Sequence, residues 1–343
     1  MSLKVLLTGG QGFVGRRVLD FLLDRKYQVR ALTRRPAPDL EESGAEVFQA
    51  DLLNLDQVRK AAEGVDGVIH CAAKSGVWGP LPEYIRANTC ATINLLTAAR
   101  RAKVGWFVHT SSPSVAHSGL PLDGVDESVP YAENSRQAYP YSKMLAERLV
   151  LAADSPDFRT VALRPHLVWG PDDPHFLPRL EARARAGRLF LLKSTALVDA
   201  TYIDNAAGAL LTAAEKLAAG GALAEAIGGR AYFIAQGEPL TVPDLIGRLL
   251  AAISTPEQPL TVRFLVSPWL GLAAGTVLEK IWALFKLQGE PPLTRFVAEE
   301  LSLPHWFNLS RARNELGYAP SVSMAEGLRI LAESCRAKNS QNR

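Results

Sequence analysis

An apolar run, Leu3-Lys4-Val5-Leu6-Leu7, breaks directly into Thr8-Gly9-Gly10-Gln11-Gly12-Phe13-Val14-Gly15, and an amphipathic stretch continues over residues 14–24. A strand that enters a helix through closely spaced glycines is a strong constraint on the fold, because the turn brings unpaired backbone N–H groups and the positive end of a helix dipole to one point. Such a point suits a pyrophosphate. Gly9 serves the tight turn, Gly12 the close approach of backbone to phosphate and Gly15 the packing of helix on strand, with Phe13 and Val14 in the same site. In a chain with 26 glycines this spacing also arises as ordinary turns, so its weight comes from the strand before it and the helix after it.

Further apolar, β-branched runs follow at 28–32, 46–50, 67–71, 106–110 and 160–163, separated by amphipathic stretches such as 55–62. Near-continuous apolar strands alternating with helices predict an α/β fold, a Rossmann-type doubly wound parallel sheet covered on both faces. After Arg164-Pro165 the rhythm is irregular: Gly170-Pro171-Asp172-Asp173-Pro174 reads as a loop, 200–217 and 230–234 as returns to the sheet, and the C-terminal part as mostly helical. The predicted organisation is a dinucleotide-binding domain over 1–165 plus about 195–235, a smaller substrate-binding part over 166–194 and 236–337, and a frayed tail over 338–343.

The end of the second strand decides which dinucleotide is bound, because NAD enzymes place an acidic side chain there on the ribose 2′-hydroxyl. Here the run is Leu32-Thr33-Arg34-Arg35. Two guanidinium groups and no carboxylate predict recognition of a 2′-phosphate and hence NADP(H); the alternative for either arginine is an ordinary surface residue. Tyr139 and Lys143, four apart in a stretch read as helix to about residue 151, share a face. An ammonium beside a phenol lowers its pKa from about 10, which fits tyrosine for proton exchange. Tyr141 is the competing phenol, but it stands two residues from Lys143 on another face. The strand before it ends in Thr110-Ser111-Ser112 and adds a hydroxyl donor.

In these residues the chain resembles the extended short-chain dehydrogenases/reductases of the 3β-hydroxysteroid dehydrogenase type. The matching stretches are Thr8 through Gly15, Asp51-Leu52, His70-Cys71-Ala72-Ala73-Lys74, Thr110-Ser111-Ser112-Pro113-Ser114-Val115, Tyr139-x-x-x-Lys143 and Arg164-Pro165-His166-Leu167-Val168-Trp169-Gly170-Pro171. Within that family, residues 163–187, Tyr202-Ile203-Asp204-Asn205-Ala206-Ala207 and Pro292-Leu293-Thr294-Arg295-Phe296 are similar to a subgroup, the 2-alkyl-3-oxoalkanoate reductases of bacterial long-chain olefin biosynthesis. The resemblance implies that Tyr139 delivers the proton, Lys143 holds the nicotinamide ribose and tunes Tyr139, and Ser112 hydrogen-bonds the reacting oxygen. It implies that Asp51 and Leu52 flank the adenine, that Ala72, Ala73 and Lys74 line the ribose-phosphate path, and that Pro165, Leu167 and Val168 border the nicotinamide.

The implied reaction is NADPH-dependent reduction of a 2-alkyl-3-oxoalkanoate to the 2-alkyl-3-hydroxyalkanoate. The implied partners are a long-chain hydrophobic β-keto or β-hydroxy acid, a second copy of the chain packed through helices near 83–103 and 139–151, and other olefin-pathway enzymes. Oxidation of a sterol or steroid 3β-hydroxyl is the alternative enzyme reading. An NADP-sensing regulator on the same fold is the non-enzymatic one, and it has no use for an acid–base tyrosine.

Among the remaining candidates, Asn88 reads as a structural hydrogen-bonding residue in a helix motif where Ala91 replaces the usual glycine. Asp204 reads as the cap of a helix beginning at Asn205, and His166 and His175 as loop residues. Arg295 is a candidate partner for a substrate carboxylate, with a surface ion pair as the alternative reading. A net charge of +3 spread along the chain leaves no nucleic-acid footprint, and Arg179, Arg183, Arg185 and Arg188 alternate with alanines as on a solvated helix face. Three cysteines and six histidines without ligand spacing predict neither disulfide nor metal, and the start of the chain reads as cytoplasmic, with no targeting segment. Residues 264–278 carry no charge and 279–286 are amphipathic, but Pro268, Gly271 and Gly275 interrupt a stretch already shorter than the roughly 20 residues of a bilayer span. A helix covering the substrate pocket is the expectation there; peripheral membrane attachment through Trp269, Trp282 and Phe285 is the alternative.

Overall fold

Residues 3–133, 135, 137–255 and 259–341 are described by the structure, a computed structural model. Strands β1 (Lys4–Thr8), β2 (Gln28–Thr33), β3 (Glu46–Gln49), β4 (Gly67–His70), β5 (Trp106–Thr110), β6 (Arg159–Pro165) and β7 (Arg230–Ile234) form one parallel sheet of seven strands, ordered β7-β6-β5-β4-β1-β2-β3. Alternation along the strands decides the two faces. Val5 and Leu7 of β1 and Val108 of β5 enter one core with Val18, Leu19 and Leu22 of α1 (Phe13–Asp24), whereas Leu6 and Phe107 point the other way. There they meet Val58 of α2 (Leu55–Ala62), Leu95 of α3 (Ala91–Arg101) and Val150 of α4 (Ala138–Ala152). The strand order reverses between β1 and β4, and the crevice at their C-terminal ends is where such sheets hold their ligands.

Residues 200–217 depart from the expected return to the sheet. Only Thr201–Tyr202 is extended, paired with Val168–Trp169 outside the main sheet, and the rest is α6 (Ile203–Ala219), which packs on α1. Half of its buried residues are alanine, so the helix lies close against the strands. Asp204 does not cap this helix. It sits within the first turn and accepts two hydrogen bonds from Arg17 of α1, at 2.7 and 2.9 Å.

Beyond the crevice, four distant segments form a small sheet in the order Leu240–Thr241, Leu197–Val198, His305–Phe307, Leu122–Val125. Its register sets His305 opposite Val198 on one side and Leu122 on the other. A second core, with Trp169, Leu245 and Met324, is enclosed by α5 (Phe176–Arg185), α7 (Val242–Ile253) and a C-terminal helix, Met324–Gln341. That last helix carries 338–341 of the expected tail, and Lys338 pairs with Asp172 at 2.6 Å; residues 342–343 lie outside the described ones.

The uncharged stretch becomes α8 (Pro268–Phe285), lying across α9 (Arg295–Ser302). Close approach depends on two glycines: a Cβ on Gly271 would come 2.6 Å from Leu192, and one on Gly275 2.8 Å from the Thr294 backbone. The helix lines neither of the two cavities described below: Leu272 and Leu278 pack inward on Leu192, Leu293 and Ala298, while Trp269 and Phe285, each 66% exposed, and Leu284, 75% exposed, face outward. Among the described residues no helix is long and apolar enough to cross a membrane.

Candidate active site

The glycine loop owes its shape to contacts that leave no room for side chains. Gly9 has φ +75°, and a Cβ there would lie 2.6 Å from the Ala72 nitrogen; a Cβ on Gly15 would lie 2.1 Å from the Gly9 carbonyl oxygen. Gly12 stands at the start of α1 with no side chain capping the helix, so the first-turn N–H groups are available to an anion. Thr8 ties this loop to the next one, since its hydroxyl accepts from Ala72 N at 3.2 Å and lies 2.6 Å from His70 Nδ1. The Ala72, Ala73 and Lys74 segment is then fixed by Asn88, which accepts from Lys74 N at 2.7 Å and donates to Lys74 O at 3.1 Å and to Ser142 Oγ at 2.9 Å. This is the structural role expected of Asn88.

Arg34 and Arg35 follow β2 as exposed side chains, and among the described residues neither guanidinium has a partner. Asp51 holds its own turn, accepting from Leu53 N at 2.9 Å, while the Leu52 carbonyl accepts from Asn94 at 2.9 Å. Pro165 ends β6, Val168 opens the next short strand, and Leu167 between them takes φ +39°, a conformation few non-glycine residues adopt.

Ser112 and Tyr139 line one cleft of about 220 Å³, which Tyr141 does not line. Ser112 Oγ accepts from Ser114 N at 3.2 Å and lies 2.9 Å from Ser114 Oγ. Lys143 is buried on the same helix, and its ammonium donates to the Thr110 carbonyl at 2.6 Å, 3.4 Å from His109 Nε2. Burial brings Lys143 down to about 8 against the pull of Glu147. The expected depression of the Tyr139 phenol is not found: burial raises it, the Ser112 hydroxyl opposing. The phenol therefore keeps its proton near neutrality.

Sequence reading passed over what supports Lys143. One turn further along α4, the fully buried Glu147 accepts from Arg164 at 2.6 Å and from the Tyr131 hydroxyl at 2.7 Å. The spacing of four from Lys143 was the available signal. His70 and His109, at the ends of β4 and β5, are held neutral by burial and by the Lys143 charge, His70 at about 3.

The cleft adjoins a second, mainly apolar cavity of about 370 Å³; both are lined by Val77, His166, Leu167, Phe296, Glu300 and His305. His166 is thus no simple loop residue. It is buried, with Nδ1 2.6 Å from the Asp199 carbonyl, and its ring stands edge-on to His305 at 5.0 Å. His175 lines only the apolar cavity, as do Arg179 and Arg183 of the arginine cluster. Arg295 lines neither, being an exposed partner of Glu299 at 2.7 Å. The three scattered histidines His117, His166 and His305 converge on Glu300, which spacing along the chain could not reveal.

The profile of the 3-beta hydroxysteroid dehydrogenase/isomerase family matches residues 6–262. A 2-alkyl-3-oxoalkanoate reductase of Stenotrophomonas maltophilia is 44% identical over 98% of this chain and 100% of its own length. One of Shewanella oneidensis is 39% identical over 96% and 85%. In fold, the chain superposes on the UDP-glucuronic acid 4-epimerase of Bacillus cereus, solved with UDP-glucuronic acid and NAD, with a TM-score of 0.74 at 23% identity, covering 98% of this chain and 100% of that one. With its sheet order, glycine loop and Ser112/Tyr139 cleft, the chain belongs to the 3-beta hydroxysteroid dehydrogenase/isomerase family, oxidoreductases acting on CH–OH and C=O groups.

Proposed function

We propose that this protein reduces the 3-keto group of a 2-alkyl-3-oxoalkanoate to the hydroxyl, with NADPH as cofactor. The observation that carries this reading is the cleft holding Ser112 and Tyr139, which shares six lining residues with an adjoining apolar cavity of about 370 Å³ suited to an alkyl chain. The names of the relatives from Stenotrophomonas maltophilia and Shewanella oneidensis support the substrate class. The glycine loop fits a dinucleotide, because the Cβ direction of Gly12 meets only the Gly9 carbonyl, at 3.2 Å, and leaves the helix start open. When bound, NADPH supplies hydride to the carbonyl carbon. Gly9, Gly12, Phe13, Val14 and Gly15 would hold its pyrophosphate, Arg34 and Arg35 its 2′-phosphate, Asp51 and Leu52 its adenine. Ala72, Ala73, Lys74, Pro165, Leu167 and Val168 would line the rest of its path.

Tyr139 donates its proton to the carbonyl oxygen, a task for which a raised phenol pKa keeps it charged with that proton. Ser112 Oγ accepts from Ser114 N, and when Ser114 Oγ, 2.9 Å away, is the donor of that pair, the Ser112 hydrogen serves the same oxygen. Lys143 keeps a positive charge beneath the site. The chain acts as a homodimer through α3 and α4, a reading supported by the outward-facing Ile93 and Leu149, and olefin-pathway enzymes are its further partners.

Two assays test the substrate and cofactor. Arg34→Ala should raise the NADPH Michaelis constant about tenfold, the scale of one charge-assisted hydrogen bond, and leave NADH nearly unaffected; equal use of both cofactors by the wild type would remove the argument. Under saturating NADPH, kcat/KM should climb with alkyl length on 2-alkyl-3-keto acids and exceed the value for 3-ketosteroids. A higher value for the steroid would replace this substrate class with the steroid one.

The outward apolar face of α8 supports contact with a membrane surface. Wild-type protein should sediment with phosphatidylglycerol vesicles, and the Trp269→Asp/Phe285→Asp variant should stay in the supernatant. Identical behaviour of the two would dismiss that surface.

A further inference from the structure

His166, His305 and Glu300 stand on three separate elements, the end of β6, the small sheet and α9, and one ligating atom from each lies within 4.8 Å of the others. Hydrogen bonding determines what those atoms offer. His166 Nδ1 faces the Asp199 carbonyl at 2.6 Å and His305 Nδ1 the Leu303 carbonyl at 2.8 Å. A carbonyl only accepts, so each Nδ1 carries a hydrogen, and Nε2 is the atom left to each ring for another partner. His305 Nε2 lies 3.6 Å from Glu300 Oε2. Glu300 Oε1 is engaged elsewhere, by His117 Nδ1 at 3.1 Å, while His117 Nε2 reaches Glu299 at 3.2 Å. Two imidazole nitrogens and a carboxylate oxygen therefore converge in a wall of the cleft, a donor set that can hold a cation.

We propose that His166, His305 and Glu300 bind a divalent metal ion of the zinc type, whose open coordination position takes the carboxylate of the substrate. Imidazole pairs with one carboxylate suit borderline ions and not magnesium or calcium, which prefer all-oxygen sites. The outer contacts match those of a metal centre, with each ring pinned through Nδ1 to a backbone carbonyl and the carboxylate held by His117. Tetrahedral bonds of about 2.0–2.1 Å set the donors about 3.4 Å apart, so a pair at the 4.8 Å limit must close by about 1.4 Å.

Charge favours the ion over bare histidines. Glu299 and Glu300 already pair with Arg295 and His117, so an added substrate carboxylate needs a new positive charge, which the ion supplies. All three ligands border both the Ser112/Tyr139 cleft and the apolar cavity, where a carboxylate β to the reacting carbonyl and an alkyl branch would part company. This role for the ion rests on the substrate reading above; the ion site itself does not.

The full chain, stripped with chelator, is titrated with Co²⁺ by visible absorption and with Zn²⁺ by calorimetry, without cofactor or substrate. One ion should bind per chain, with affinity falling tenfold or more in His305→Gln and in Glu300→Gln and unchanged in His175→Ala. Thermal unfolding of each stripped variant checks its fold, and Zn²⁺ should raise the transition of the wild type and His175→Ala only. Wild-type binding no tighter than that of the two ligand variants overturns the site, and intact keto-acid reduction in that case leaves the proposed function standing. With the site filled, a 2-alkyl-3-hydroxyalkanoate should bind the Zn²⁺-loaded protein at least tenfold tighter than the stripped protein. Equal affinity overturns the carboxylate role.

Discussion

Tyr139→Phe should lower turnover by about 10² or more while leaving NADPH affinity near that of the wild type, because it deletes one hydroxyl and nothing else. The Tyr139 ring packs edge-on against Tyr84 at 6.5 Å, and phenylalanine preserves that contact, so the loss reads proton donation and not packing. Tyr141→Phe should stay near full rate, since Tyr141 does not line the cleft. Single-turnover reduction with excess NADPH separates the chemical step from product release. Retention of activity by Tyr139→Phe together with its loss in Tyr141→Phe would reverse the assignment.

Glu147→Ala should cost about 3–5 kcal/mol of folding stability, the range for removing one partner of a buried ion pair. Glu147 is fully buried, and without it the buried Arg164 guanidinium loses its carboxylate and the Tyr131 hydroxyl its acceptor. Arg148→Ala is the control, for it breaks the exposed pair with Glu133 at 2.9 Å and should change stability by less than about 1 kcal/mol. Denaturant midpoints of the two variants give the comparison, and a Glu147→Ala loss no greater than that of the control would show the network to be dispensable. Because Glu147 holds the Lys143 pKa up against burial, its removal should also move any alkaline decline of activity to lower pH.

The parallel sheet was legible because its signal is local: apolar runs alternate with helical periods, and each run needs only its own residues to declare a strand. The glycine loop was legible for the same reason, as Gly9 and Gly15 answer to contacts within one strand–turn–helix unit and its neighbouring strand. Alanine-rich residues 203–219 carried no such signal, since small apolar residues suit either element until a sheet face is present for them to cover. Asp204 looked like a cap because capping is local, and became instead the partner of an arginine 187 residues away. The direction of the α8 apolar side chains stayed open between a pocket and a membrane surface, because the apolar pattern says that a face exists but not what it meets.

In the site, the Tyr139 to Lys143 spacing declared a shared helix face, yet the direction of the Tyr139 pKa shift came from burial, which no spacing encodes. The chain alone determined which residue types stand at the crevice. The fold alone decided that Glu147 would meet Arg164 and that His117, His166 and His305 would surround Glu300, because those meetings are made by strand order and register between segments far apart in sequence.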